Sequence, residues 1–223
     1  MEKAPIQFRF AAVAVDIPVF AVFDEQLQVL VAPVNRPPHY LNIPGFVGGM
    51  VTTKETADDT VDRILKEKAN IKGFYCEQLY TFSDIDRDKR NRVVSVAYYG
   101  LLRPDTAAAY KHDEAYFVPV KSIKDLAYDH KDILKMAVKR LQGKLSYTNI
   151  AQHLLPRHFT LTELQKLYEL ILNTEFDKRN FRKKILSLAI IEETGTMEEG
   201  VKHRPAALYK FKTEKLVELQ LIA

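Results

Sequence analysis

The sequence predicts an α+β protein in two parts: an N-terminal mixed β-sheet flanked by helices, and a smaller C-terminal unit of two helices and a β-hairpin. The first observation is a series of short, β-prone runs that begins with residues 8–34. The second is the recurrence of apolar residues at helical spacing, as over residues 161–171. The third is a change of order near residue 150, after which two helical patterns precede two strand patterns.

Composition is that of an ordinary globular chain. The 223 residues are 47% hydrophobic and 28% charged, and the net charge of +4 permits nucleic-acid binding without demonstrating it. A single cysteine, Cys76, excludes an intramolecular disulfide and a zinc site built from cysteines, which fits a reducing cytoplasm. The N-terminus lacks a signal-peptide pattern, and no apolar run reaches the roughly 18 residues that a membrane helix needs. We therefore expect a cytoplasmic protein with no membrane partner.

Strand patterns fill most of the first part. The second and third runs within residues 8–34 are predicted to form a hairpin around the polar pair Asp24 and Glu25. A loop follows, because Pro37 and Pro38 lack the N–H groups that a sheet ladder needs. The remaining strands are predicted over residues 43–49, 73–82, 92–102 and 114–120.

Two helices are predicted to flank this sheet. The first has Thr53 or Thr56 as its cap and a buried stripe at helical spacing. The second opens at Asp129. The two stripes consist of Ala57, Val61, Leu65 and Ala69, and of Ile133, Leu134, Ala137, Val138 and Leu141. We expect a first domain over residues 1–145, a second over 150–223, and a linker at about 144–157.

The second domain has the order helix, turn, basic helix, hairpin, which is typical of a winged helix-turn-helix. Its first helix is predicted over residues 161–172, capped by Thr160 or Thr162, with a stripe of Leu161, Leu164, Leu167 or Tyr168, and Ile171. Its second helix is predicted over residues 177–189. The two hairpin strands are predicted over residues 190–194 and 206–211.

The second helix is the candidate nucleic-acid reader. Phe181, Ile185 and Leu188 are spaced to face the core, so the basic side chains point outward. Charge runs are usually solvated faces, but this one is almost purely basic, and the predicted hairpin tip adds Lys202, His203 and Arg204. Arginine can pair with guanine, asparagine with adenine, and lysine with phosphate. The predicted partner is double-stranded DNA, contacted by Lys178, Arg179, Asn180, Arg182, Lys183, Lys202 and Arg204.

A second candidate site lies on the helix after Gly49. Positions 64, 67 and 68 converge on one helical face, where three carboxylates would hold Mg²⁺. The chain instead has Ile64, Glu67 and Lys68 there, so we expect no metal site, no catalytic residue and no cofactor. The ammonium group of Lys68 would repel a metal ion and could attract an anionic ligand.

The spacing of Gly49, Glu55, Arg63, Glu67 and Ile71 resembles the Nudix box, which holds divalent cations against a nucleoside diphosphate linked to another group. With the C-terminal motifs, the chain resembles the Nudix-related transcriptional regulators of the NrtR type. The further segments that carry this resemblance are Asp86–Asp88, Arg92–Tyr99, Asp177–Lys183 and Arg204–Phe211.

The resemblance implies a cytoplasmic, DNA-binding homodimer. Its Nudix-like domain, a mixed β-sheet in an α/β/α sandwich, would sense ADP-ribose, a related metabolite or a sugar, and a winged helix would follow. Ile64, Lys68 and Asn70 replace two box glutamates and a glycine, which weighs against pyrophosphatase activity but leaves ligand binding untouched. By analogy with the box, Glu55 and Arg63 are expected to pair and brace its loop. The candidate cleft-lining residues are Arg36, Phe46, Glu67, Arg87 and Arg92.

The sequence leaves alternatives open beside a ligand-responsive repressor. One is a Nudix hydrolase that cleaves ADP-ribose or a related nucleoside diphosphate derivative, with Mg²⁺ held by Glu67 and by Glu55 or Asp86. Another is a binding module whose second part docks a protein. The charged loop over residues 83–90 is predicted to be either a solvated segment with self-paired charges or a rim that contacts ligand. Whether ligand releases or recruits DNA also stays open.

Overall fold

The computed structural model describes residues 10–71, 73–200 and 204–219. None of the helices within these ranges combines the length and apolarity needed to cross a membrane. Two short 3₁₀ helices cover Val120–Ser122 and Ile150–His153. The helices are α1 (Ala57–Ala69), α2 (Pro104–Ala108), α3 (His130–Tyr147), α4 (Leu161–Leu172) and α5 (Lys178–Ser187). The strands are β1 (Ala12–Ile17), β2 (Val19–Phe23), β3 (Gln26–Arg36), β4 (Tyr40–Gly45), β5 (Val47–Met50), β6 (Tyr75–Phe82), β7 (Val93–Leu101), β8 (Tyr116–Pro119), β9 (Ile191–Met197) and β10 (Ala207–Phe211).

The main sheet is mixed, as predicted. Its path is β4-β3-β2-β7-β1-β5, with β6 paired to β7 and β8 paired to β3. Strands β1 and β2 run parallel to β7, and the other pairings are antiparallel. The break between β1 and β2 is Pro18, whose carbonyl still accepts from the N–H of Gly100 at 2.9 Å. The predicted hairpin of β2 and β3 is confirmed.

Alternating side chains give the sheet two apolar faces. Ala21, Leu30 and Tyr98 face the cluster that contains the buried side of α1. Their neighbours Phe20, Val29 and Tyr99 face the opposite cluster, which contains α3 and the C-terminal helices. The sheet is therefore sandwiched between helical layers, in agreement with the predicted α/β/α arrangement.

Helix α1 has well-formed ends. Thr56 is its cap: the hydroxyl accepts from the N–H of Asp59 at 3.1 Å, and the Asp59 carboxylate accepts from the N–H of Thr56 at 2.9 Å. At the other end Asn70 adopts a left-handed conformation with φ of 48°. Asparagine tolerates this conformation better than most residues, so it can replace a glycine at the helix end.

The predicted single strand over residues 43–49 is wrong, because it is split into β4 and β5. Phe46 separates the two strands, and its N–H donates to Nδ1 of His130 at 2.9 Å rather than to a neighbouring strand. The bend turns β4 toward β3 and β5 toward β1. A local pattern of apolar residues could not reveal it, since the acceptor lies 84 residues away.

The C-terminal unit has the predicted order of elements. The cap of α4 is Thr160, whose hydroxyl accepts from the N–H of Glu163 at 3.1 Å. Phe181 and Ile185 of α5 are buried as expected, and the ring of Phe181 lies 5.4 Å from that of Tyr168 on α4. Strands β9 and β10 form the antiparallel hairpin behind the two helices.

The predicted linker at 144–157 is not an extended segment. Helix α3 continues to Tyr147, and Leu145, Ile150 and Leu154 are almost fully buried in a core that also contains the sheet and the C-terminal helices. The C-terminal chain packs over the same point: the side chain of Asn149 accepts from the N–H of Val217 at 2.8 Å.

Candidate functional site

The glycines of the box permit close packing against α1. A Cβ atom on Gly49 would lie 2.5 Å from Cδ1 of Ile64, and one on Gly48 would lie 2.5 Å from an oxygen of Asp16. Ile64 is only 2% exposed and belongs to the apolar cluster on this face of the sheet. The position that carries a box glutamate in the Nudix pattern is therefore occupied by Ile64, a hydrophobic-core residue.

Lys68 lies beside the same glycines. Its Nζ donates to the carbonyl oxygen of Gly48 at 2.7 Å. Partial burial, followed by the positive charges of Arg36 and Arg63, lowers the pKa of Lys68, and Glu67 and Asp16 offset this only in part. The charges of Arg36 and Arg63 thus act on Lys68 against those of Glu67 and Asp16.

Arg63 braces the box loop, and its predicted pairing with Glu55 is confirmed. Its Nε and Nη2 lie 2.9 Å and 2.7 Å from the two carboxylate oxygens of Glu55. These bonds and the N–H of Thr52 lower the pKa of Glu55 to about 2. A weaker contact of 3.4 Å joins Arg63 to Glu67. The guanidinium is therefore largely neutralised by carboxylates.

The box residues do not fit a Mg²⁺ ion. Ile64 offers no ligand atom, Lys68 offers a positive charge, and the Glu55 carboxylate is held by Arg63. Among the described residues no group of three or more His, Cys, Asp or Glu side chains is arranged to hold a metal ion. A Mg²⁺ ion at the box would therefore need ligands from other residues.

A cavity of about 510 Å³ lies between the start of β4, the 83–90 loop and the start of α3. Its aromatic wall includes Tyr40 and Tyr128, whose ring centroids are 4.3 Å apart. The guanidinium of Arg90 lies 5.5 Å from the centre of the Tyr128 ring. Arg36 is close enough to Tyr128 to affect its pKa, which burial raises and the positive charges of Arg90 and Arg36 partly restore.

The polar part of the cavity is mainly acidic. Five aspartates line it, together with Arg87 and Lys89. Asp129 is neutralised by Arg87, and Asp125 lies 3.0 Å from Nζ of Lys131. The aspartates are Asp84, Asp86, Asp125, Asp129 and Asp132. Such a wall suits a ligand group rich in hydrogen-bond donors, such as sugar hydroxyls, and disfavours a phosphate.

Arg87 anchors this wall to the sheet. Its Nη2 lies 2.7 Å from Oδ1 of Asp129 and 2.9 Å from Oδ2 of Asp16, and its side chain is only 2% exposed. Oδ2 of Asp16 also accepts from the hydroxyl of Ser95 at 2.7 Å. Burial alone would raise the pKa of Asp16, but the neighbouring His130 and Arg87 hold it well below its usual range.

His130 links this network to the residue after β4. Its Nδ1 accepts from the N–H of Phe46, and its Nε2 lies 3.3 Å from Oδ1 of Asp16. The rings of His130 and Phe46 stack at 4.9 Å with an angle of 9° between their planes. These contacts fix the end of β4 and hence the position of the neighbouring cavity wall.

The five candidate ligand residues fall into different environments. Arg87 lines the cavity but is held by two carboxylates, whereas Phe46 is buried in the core and is not among the residues that line the cavity. Arg92 holds the loop, since its guanidinium donates to the carbonyls of Ser83 and Asp84. Arg36 and Glu67 are exposed, and their charges act on the pKa of Lys68 in opposite directions. As ligand contacts, all five remain predictions.

The loop over residues 83–90 combines the two interpretations offered for it. Its charges pair within the chain, as in the contact of 2.7 Å between Arg90 and Asp88, but Arg87 and Asp88 are buried rather than solvated. Asp84, Asp86 and Lys89 also line the cavity. Sequence reasoning included Arg90 in this loop but did not single out Tyr40 or Tyr128, because their proximity depends on loops that are distant in sequence.

The basic face of α5 is open to solvent. Lys178, Arg179, Asn180 and Lys183 are exposed, whereas Arg182 is partly buried and donates from Nη2 to the hydroxyl of Thr162 at 3.2 Å. Arg204 is exposed near the hairpin. Lys202 and His203 lie outside the described residues. Arg182 is thus partly committed to the contact between α4 and α5.

The chain is similar to known regulators over most of its length. A family model described as the NrtR DNA-binding winged helix domain matches residues 151–211. A protein of Acinetobacter baylyi, the ADPR responsive transcriptional repressor NtrR, is 34% identical over 205 residues, which cover 88% of this chain and 80% of that protein.

Two solved structures are similar as well. Shewanella oneidensis NrtR complexed with a 27mer DNA has a TM-score of 0.79 and 30% identity, covering 90% of this chain and 93% of that chain. The NUDIX domain of the same protein complexed with ADP ribose has a TM-score of 0.53 and 29% identity, covering 60% of this chain and 90% of that chain. These similarities confirm the predicted architecture of a Nudix-like mixed sheet followed by a winged helix.

Proposed function

Because the chain belongs to the NrtR family of Nudix-related transcriptional regulators, we propose that it is a transcriptional repressor whose DNA binding responds to ADP-ribose or a closely related metabolite. The Acinetobacter relative is an ADPR responsive repressor, and the Shewanella relative has been solved with DNA and, for its NUDIX domain, with ADP ribose. The protein acts in the cytoplasm as a homodimer.

The observation that carries the DNA-binding proposal is the solvent-exposed basic face of α5 within the region matched by the winged-helix family model. Arg179 and Lys183 lie on the side of α5 opposite the buried Phe181 and Ile185. Asp177 caps the helix by accepting from the N–H of Asn180 at 2.8 Å, so the first turn is well ordered where it would enter a groove. Lys178 and Asn180 complete the exposed face, and Arg204 with Lys202 would contact the backbone.

We assign effector binding to the cavity between the start of β4, the 83–90 loop and the start of α3. Its volume of about 510 Å³ lies within the range of small-molecule sites. The Tyr40 and Tyr128 rings can pack against an aromatic or ribose group, and the acidic wall can accept hydrogen bonds from hydroxyls.

Ligand acts on DNA through the homodimer. Two winged helices must match half-sites about one helical turn apart, so a change in the relation between subunits alters the fit to DNA. We propose that bound effector favours a geometry that does not match, and DNA is released. Sedimentation of the purified protein tests the dimer directly, and a monomer at micromolar concentration would contradict it.

The DNA interface is tested with duplexes that the wild-type protein selects from a random-sequence pool. Arg179→Ala should cost roughly 1–3 kcal/mol, concentrated at one base position, and Lys183→Ala should weaken binding to all duplexes. Lys139→Ala, which removes an exposed charge from α3, is the matched control and should bind normally. Unchanged binding by both α5 variants would show that this helix does not read DNA.

The effector is tested on the same protein–DNA complexes. Adding ADP-ribose should release the duplex and raise the melting temperature of the free protein, because a ligand that binds only the native state stabilises it. AMP, ribose 5-phosphate and free pentoses serve as comparison ligands. If a pentose releases DNA and ADP-ribose does not, the effector is a sugar rather than a nucleotide.

A further inference from the structure

Leu186 is an exposed leucine on the basic helix α5. Its side chain is 48% exposed, whereas Phe181 and Ile185 of the same helix are buried. The ring of Phe181 lies 5.4 Å from that of Tyr168 and 5.6 Å from that of Phe176, so α5 is seated on the core without help from Leu186. A single exposed leucine is ordinary on a protein surface, and this one is distinguished by its place on the helix.

Leu186 lies on the same face of α5 as two basic side chains that are proposed to contact DNA. It follows Arg179 by seven residues and Lys183 by three, which are spacings at which helical side chains share a face. All three side chains are exposed. Seven residues at about 1.5 Å per residue separate Arg179 from Leu186 by about 10 Å along the helix, which is within the roughly 12 Å width of the major groove. A helix that inserts Arg179 into the groove therefore brings Leu186 with it.

The last turn of α5 holds Leu186 in a defined position. The N–H of Ala189 donates to the carbonyl of Leu186 at 3.1 Å, and Ala189 itself adopts a left-handed conformation with φ of 51° just after the helix. Ile185 before this turn, and Leu188 and Ile190 after it, pack against the core. The side chain of Leu186 therefore projects from a backbone that is anchored on both sides.

A second exposed apolar side chain of the C-terminal unit has the opposite surroundings. Met197 on β9 is 51% exposed and is followed by two glutamates. Negative charge beside Met197 opposes a close approach to phosphates, whereas the cations Arg179 and Lys183 beside Leu186 favour it. Of these two apolar side chains, Leu186 is the one placed to enter a groove.

We propose that Leu186 contacts the C5-methyl group of a thymine in the major groove and so specifies a T·A pair at one position of each half-site. The inference rests on the proposed DNA-binding function and adds a residue and a base to it. Thymine presents a methyl group in this groove, and an aliphatic side chain gains by burying against it. Cytosine would direct its amino group at a side chain that cannot accept a hydrogen bond, so it is disfavoured at this position.

Deoxyuridine, which lacks only the methyl group of thymidine, tests the contact. Duplexes that the full-length wild-type protein selects from a random-sequence pool are resynthesised with deoxyuridine at one pair of symmetry-related thymines at a time, and their affinities are measured by fluorescence anisotropy. At the position contacted by Leu186, wild type should bind about three- to fivefold more weakly for each methyl group removed, which is the value of one buried methyl group. Leu186→Ala should bind the thymine and deoxyuridine duplexes equally at this position.

A complementary experiment adds the methyl group to another base. At the same position wild type should bind 5-methylcytosine more tightly than cytosine, and Leu186→Ala should bind the two equally. Leu41→Ala is the matched control, because it shortens an exposed leucine of β4 and should discriminate against deoxyuridine as wild type does. Alanine favours the helical conformation, so Leu186→Ala should keep α5 intact, and melting temperatures show that each variant is folded.

The outcomes separate this contact from DNA binding itself. If wild type selects duplexes but no deoxyuridine substitution weakens binding, the contact is wrong and the regulator stands. If Leu186→Ala weakens binding to the thymine and deoxyuridine duplexes by the same factor, the leucine supports the fold or the dimer rather than reading a base, and the contact is again wrong. If wild type selects no duplex at all, the proposed DNA-binding function fails and the contact fails with it.

Discussion

Replacing Arg87 with methionine should destabilise the protein strongly at neutral pH. The substitution removes contacts of 2.7 Å and 2.9 Å to Asp129 and Asp16 and keeps an apolar side chain of similar length. The Asp16 carboxylate stays buried but loses its guanidinium partner, the Arg87 side chain, which is only 2% exposed. Breaking a buried pair by removing one partner costs about 3–5 kcal/mol, which corresponds to a melting temperature lower by about 6–20 °C.

Urea unfolding at pH 7 measures this change in free energy, and the pH dependence tests its cause. The native pKa of Asp16 lies below its unfolded value, so the ionised carboxylate stabilises the fold above about pH 4 and this contribution is lost as the pH falls further. The gap between wild type and Arg87→Met should therefore narrow below about pH 4. Adding Asp16→Asn to the variant should recover part of the loss, because the buried Asp16 charge is then removed and Asp129 alone has lost its partner.

The control for this experiment is Lys131→Met, which breaks a pair with Asp125 at 3.0 Å in which both side chains are more than half exposed. Its effect should be far smaller, since solvent screens such pairs. A loss of less than about 1 kcal/mol for Arg87→Met would refute the view that the Arg87 network anchors the cavity wall.

Two further substitutions test the junction and the box. Burial and, secondarily, Arg103 lower the pKa of His153 to about 4, so stability should fall as the pH drops from about 6.5 to 4. His153→Phe keeps the stack on Tyr75 and should flatten the dependence of unfolding free energy on pH, as measured by urea unfolding. The change between about pH 6.5 and 4 should be at most about 2 kcal/mol after solvent screening. An unchanged pH dependence would show that His153 is not the titrating group. Ile64→Glu restores a box glutamate but should lower the unfolding free energy by about 3 kcal/mol or more, because it buries a carboxylate. Unchanged stability in the same assay, or tight Mg²⁺ binding, would show that this face of α1 can become accessible to solvent.

Sequence patterns predicted the elements well wherever local physics decides them. Thr56 and Thr160, each an alternative cap in the sequence, both form capping boxes, because the acidic partner three residues later is itself local. The apolar stripes of α1 and α4 are buried as predicted, since helical spacing alone decides which side chains share a face.

The surroundings of the candidate cleft residues could not be predicted from the sequence, because long-range partners decide them. Arg87 was proposed as a ligand contact, but its carboxylate partners lie 71 and 42 residues away, and no local pattern identifies them. Ile64 was assigned to the would-be metal face, whereas its contact with Gly49 makes it core. Tyr128 reaches Tyr40 through a left-handed backbone turn with φ of 56°, which its sequence neighbours do not announce.

The packed connection after α3 makes the position of the basic helix depend on the stability of the whole core. Side chains such as Leu141 and Leu154 belong to the same core as the face of the sheet and the buried side of α5. A large-to-small substitution there weakens the packing beneath α5, so a smaller fraction of molecules keeps α5 in its native position at a given temperature. A genetic screen for loss of repression should therefore recover core positions far from DNA alongside the basic residues themselves.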